Sequence, residues 1–171
     1  MPVTVRVGFS TSNRLVSRVI RLVTKSKVSH VWLLVSDSFL GTDMVMHATM
    51  GGFQMLGYEA FKKTHKVVAI LDLQHPVDEG IRKAIPLLGF GYDYTGLFGA
   101  GFVIIGRWLK RKWKNPFQAP SKLFCSEIVT FVLQEGGLPG SESLDQSGSN
   151  PEILLDLLST NQAVSVRMPD G

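Results

Sequence analysis

The stretch Val28-Ser29-His30-Val31-Trp32-Leu33-Leu34-Val35-Ser36 decides how the chain is built. It is nearly continuous in apolar and β-branched residues, the mark of a central strand covered on both faces. Side chains alternate along a strand, so His30, Trp32 and Leu34 share one face. His30 is the polar exception, close to the strand's start.

Working towards the N-terminus, Val3, Val5, Val7 and Phe9 alternate with Thr4, Arg6 and Gly8, which predicts a strand with one buried face. Ser10-Thr11-Ser12-Asn13 supplies N-cap chemistry. A helix is expected from about Arg14 to Lys25, with Leu15, Val16, Val19, Ile20, Leu22 and Val23 inward. Working the other way, Met44 to Thr49 reads as a strand carrying His47. Gly51-Gly52 permits a turn, and Phe53-Gln54-Met55 returns. A short helix over Tyr58 to Lys63, a strand over Lys66 to Leu73 and a helix over Asp78 to Leu88, with Pro86 near its close, follow.

Residues 96–106 form an apolar run well short of the ~20 residues a membrane span needs. It reads as a buried or interfacial helix. Its Gly-x-x-Gly-x-Gly spacing follows no apolar strand, so it is no dinucleotide fingerprint. Asn115 to Pro120 reads as a connector. The helix after it, Lys122-Leu123-Phe124-Cys125-Ser126-Glu127-Ile128-Val129-Thr130-Phe131-Val132-Leu133, holds the only cysteine. Ser121 is placed to cap it, and Gly136-Gly137 then Pro139 to stop it. A Ser/Gly-rich loop over 140–148, a helix opening at Asn150-Pro151 and a strand over Ala163 to Met168 complete the chain.

At 171 residues a single domain over 1–171 is expected. One cysteine excludes an internal disulfide, a zinc ribbon and a C-x-x-C redox pair. The start lacks the charged-then-apolar order of a secretory signal, so a cytoplasmic protein as synthesised is expected. The net charge of +4 is concentrated in Arg14, Arg18, Arg21 and Lys25 and in Arg107, Lys110, Arg111, Lys112 and Lys114. Such stripes are solvated faces or meet anionic polymers and lipid. No nucleic-acid-binding motif accompanies them, so no nucleic-acid partner is expected.

Taken alone, the cysteine helix reads as a packing helix with a buried thiol. A nucleophilic thiol needs a base, and that base needs a third group to fix its tautomer. Of the four histidines, His65 in a Lys-rich turn and His75 before a proline read as exposed and idle. His30 and His47 fall within apolar strands, and with Cys125 they fill the three roles. The same three residues also make a weaker zinc-site reading.

The order Val28-Ser29-His30-Val31, then Val45-Met46-His47-Ala48, then Leu123-Phe124-Cys125-Ser126-Glu127 resembles the circularly permuted branch of the NlpC-type papain-like cysteine hydrolases, related to the lecithin:retinol acyltransferase group. There the histidine strand precedes the cysteine helix, and an aromatic-Cys-Ser-Glu motif is typical. Gly52-Phe53, Tyr92-Asp93-Tyr94 and Asn150-Pro151-Glu152 also match, so the likeness runs along nearly the whole chain. It implies an α+β, permuted papain-like fold, an antiparallel sheet with the cysteine-bearing helix packed on it. It implies Cys125 as nucleophile, His30 as general base and His47 as the third polar residue, where many permuted members carry Glu. Tyr92 matches a tyrosine that helps hold an oxyanion, although the Cys125 backbone N–H at the helix start is the more natural donor.

The implied activity is that of a thiol hydrolase on an amide or ester bond. The implied partner is a peptide, peptidoglycan or lipid-like substrate, and no cofactor or metal is called for. An acyltransferase and a catalytically silent binding module on the same fold are the alternatives. The apolar run with its basic cluster leans towards peripheral membrane contact through residues 96–114.

Overall fold

The computed structural model describes residues 3–12, 27–39, 41–49, 51–89, 120–144 and 151–167, with the side chains of 120–124 excepted. Its strands are β1 (Thr4–Thr11), β2 (His30–Asp37), β3 (Thr42–Thr49), β4 (Gly52–Gly57), β5 (Lys66–Leu73) and β6 (Val164–Arg167). Its helices are α1 (Tyr58–Lys62), α2 (Asp78–Ala84), α3 (Pro120–Glu135) and α4 (Pro151–Ser159). The strands make one antiparallel sheet in the order β4-β3-β2-β1-β5-β6, so the chain is α+β. The helices expected over 14–25 and within 96–106 lie outside the described residues, as does the basic cluster at 107–114.

Alternation assigns the two faces of the sheet. Val7, Phe9, Val31, Leu33, Met46 and Leu71 point to one side. There α3 covers them with Cys125, Val129, Val132 and Leu133, α2 with Ile81 and Ala84, and α4 with Leu154 and Leu158. Trp32, Leu34, Val45 and Ile70 point to the other, where Phe61 of α1 seals a smaller cluster. Thus β2 is covered on both faces, as its composition requires.

β1 differs from its expected single buried face. It runs inside the sheet between β2 and β5, and Gly8, Ser10 and Thr11 are buried along with its valines. The Trp32 indole is the reason. A Cβ at position 8 would collide with that ring, and Trp32 Nε1–H donates to Ser10 Oγ at 3.2 Å. Small residues read as an exposed face when the ring that covers them comes from another strand.

α3 begins earlier than the residue pattern suggests. It includes Pro120, so Ser121 lies inside the helix and is not its cap, and Cys125 is six residues in. Pro fits a first turn because that turn's N–H groups have no intrahelical acceptor. The stop falls where expected. Leu138 N–H donates to the Leu133 carbonyl at 2.9 Å and Gly137 N–H to that of Gln134 at 3.0 Å, with Gly137 left-handed at φ 70°. This double closure buries Leu138 against Leu133. α2 crosses α3 closely because Gly80 leaves room for the Val132 carbonyl. After Ala84 it tightens into a 3₁₀ turn over Ile85–Leu87, where Pro86 cannot continue the α-helical ladder. Among the described residues, no helix is long and apolar enough to cross a membrane.

Candidate functional site

His30 opens β2, opposite Ser10 of β1. On β2's other side the ladder with β3 begins only at Leu33–Met46, so His30 to Trp32 project beyond it. Continuing that register places His47 on the Trp32 face, within reach of His30. The two rings meet there. His30 Nε2 and His47 Nδ1 are 3.0 Å apart, and the ring planes are inclined at 72°. One imidazole donates and the other accepts, so the contact holds a single proton between two neutral rings.

The surroundings favour that state. His47 is buried, 4% exposed, and its pKa is pushed down to about 4 by burial and then by the nearby His65. Burial pushes the His30 pKa well below the ordinary value, with His47 and His65 adding to it. A neutral ring is the form of histidine that accepts a proton in general base catalysis.

His65, read as exposed and idle, belongs to the same cluster. Its ring stacks on Phe61 at 4.2 Å and lies 5.5 Å from the His30 ring and 6.0 Å from that of His47. The Lys-rich surroundings masked it. The signal in the sequence is its spacing from Phe61, four residues away, which brings both rings onto one side of a helix end.

Cys125 lies on α3 at 1% exposure, packed with Val31 and Leu33. Burial raises its thiol pKa. The backbone N–H of Val31, and hydrogen bonds from Ser126, oppose that rise. The helix dipole fades beyond the first turn, so a thiol six residues in gains little from it. The Cys125 N–H, expected at a helix start, falls at the sixth position of α3. Tyr92 lies outside the described residues.

The structure therefore brings His30 to His47 and places Cys125 on the other face of the sheet. Val31 faces the α3 core with the thiol, while His30 and Trp32 face Phe61. Thiol and imidazole pair approach the His30–Val31 peptide from opposite faces, at the end where β2 carries no ladder to β3. Two residues beyond the thiol, the Glu127 carboxyl is pushed up to about 7 by burial.

A hollow of about 550 Å³ lined by Thr4, Ser36, Asp37 and Asp43 opens at the far end of β2, remote from the histidines. Among the described residues, no group of His, Cys, Asp and Glu is arranged to hold a metal ion. No model of a known protein family matches the chain, and no curated protein matches it.

Proposed function

We propose that the chain is a thiol hydrolase of permuted papain-like architecture, acting on an amide or ester bond. Cys125 is the nucleophile, His30 the general base and His47 the group that fixes the tautomer of His30. The observation that carries the reading is the 3.0 Å His30–His47 hydrogen bond, placed at the one end of β2 where the Val31 N–H reaches the Cys125 sulfur. Histidines perturbed this far by burial cluster at functional sites more often than in ordinary packing.

In the reaction, His30 takes the Cys125 proton as sulfur bonds to the carbonyl carbon. The amine or alcohol then leaves with that proton, and a thioester remains on Cys125. Water attacks the thioester, His30 again accepting a proton, and the acid is released with the thiol restored. An alcohol or amine in place of water makes the same chain an acyltransferase. The substrate classes are a cell-wall-type peptide and a lipid-linked amide or ester, the latter favoured by the apolar run and basic cluster within 96–114. In this arrangement the His30 ring faces Phe61 and the thiol faces the α3 core, so the reaction requires the start of β2 to rearrange and bring the imidazole pair and the thiol together.

A catalytically silent binding module on the same fold is the second reading. The opposite-face placement of thiol and imidazoles and the raised thiol pKa favour it. Iodoacetamide alkylation of native protein at mildly acidic pH separates the two. The enzyme reading expects Cys125 to react faster than N-acetylcysteine, and His30→Ala to remove the advantage. Alkylation no faster than N-acetylcysteine, with no adduct from an acyl probe, would leave only the binding module.

A further inference from the structure

Three imidazoles meet over Phe61, and the third has a position of its own making. The N–H groups of Thr64 and His65 both donate to the Phe61 carbonyl at 3.1 Å, closing α1 and fixing where the His65 backbone sits. The ring lies flat on Phe61, with 3° between the planes. Its Nδ1 is 2.9 Å from Thr64 Oγ1, and that hydroxyl is 3.3 Å from the Phe61 carbonyl. None of these contacts involves His30 or His47. The Thr64–His65 contact is exposed, whereas the one between His30 and His47 is part-buried.

We propose that His65 is a positioning residue for the His30–His47 pair: it takes up the first proton the cluster accepts, and the charge so placed keeps the other two rings neutral and joined by their one shared proton. The proposal deepens the hydrolase reading and rests on His30 being its base. Protonating both members of the pair would set two N–H donors against each other across 3.0 Å and break the contact. A single charge is therefore best carried by the ring outside that bond and nearest to water. From there it repels a second charge on His30 or His47, in the direction their depressed proton affinities already show.

Among the described residues, the other charged groups on the elements around the cluster do not supply this order. Glu59 and Lys62 of α1 pair with each other at 2.8 Å. Lys63 and Lys66 flank His65 in the chain and oppose protonation of all three rings. β4 has no titratable side chain, and the Asp43 of β3 stands at the far end of that strand, opposite Ser36. What separates the three rings is burial and the shared hydrogen bond.

Imidazole ¹H–¹⁵N NMR of the whole chain, followed through an acid titration, tests the order directly. In the unsubstituted protein His65 is expected to protonate first, at a higher pH than either His30 or His47. His65→Gln should raise the titration of the pair by about one pH unit, the effect of removing a unit charge at this separation in a partly wet site. His65→Lys, which fixes the charge, should leave the pair at or below its original value. A ring that acts only by packing would move the pair in the same direction in both variants. Protonation of His30 or His47 ahead of His65, or a pair unmoved by His65→Gln, overturns the proposal, and the first of these needs no variant to fold. Alkylation of Cys125 in His30→Ala is read beside it. If that rate equals the parent's, the base role of His30 fails while the proton order is judged separately.

Discussion

At the scale of single residues, the site turns on one hydrogen bond between two strands. On the proposed hydrolase reading, with His30 as the base, His30→Ala is expected to lower the hydrolytic rate by roughly 10²–10⁴-fold, the usual worth of a positioned general base. His47→Asn can still meet His30 with an amide and should lose less than His47→Leu, which cannot. Rates on a chromogenic ester, measured for the three variants at one pH, check that order. If His47→Leu matches the parent, His47 does not orient His30. The sequence made His30 and His47 legible because each interrupts an apolar strand. His65 was hidden because it follows the short helix in a Lys-rich turn, and such a turn reads as exposed. The side from which Cys125 approaches was hidden too, since alternation gives the face of a strand residue and says nothing of which face a distant helix will cover.

Among the described elements, the α2–α3 crossing is a tight joint. Gly80→Ala forces a methyl into the Val132 carbonyl and should cost about 1–3 kcal/mol or more, as overpacking does. Gly137→Ala meets no such neighbour and pays only for its left-handed backbone, about 1–2 kcal/mol. Urea unfolding of both variants checks the ranking, and an equal loss would mean the crossing can relax. Most elements were readable: β2 to β5, α2 and the end of α3 fall where alternation, glycines and prolines put them. The start of α3 was not, because a proline that ends a connector and one that begins a helix look alike in sequence. The second buried face of β1 escaped as well, being made by Trp32 from the neighbouring strand.

For the molecule as a whole, buried titratable groups set how stability follows pH. His30 and His47 resist protonation in the fold but not in the unfolded chain, so each withdraws stability as pH falls below about 6.5, His47 down to about 4. Glu127 does the reverse. Folded, it holds a proton up to about pH 7 that the unfolded chain releases near 4.5, so it withdraws stability as pH rises through that window. Each group contributes a slope of about 1.4 kcal/mol per pH unit. Between the two limits, among the described residues, two histidines against one glutamate leave a net rise of stability with pH of about that single slope. Glu127→Gln should roughly double the slope and His47→Gln should flatten it, as urea midpoints across mildly acidic pH would report. Parallel curves for all three proteins would show that these groups do not govern the profile. The histidine cluster also lies wholly within residues 30–65, on strands and a helix that follow one another in the chain, while Cys125 arrives much later. During synthesis the three histidines therefore emerge well before the thiol, and under the proposed function both halves of the site are present only once α3 has been made.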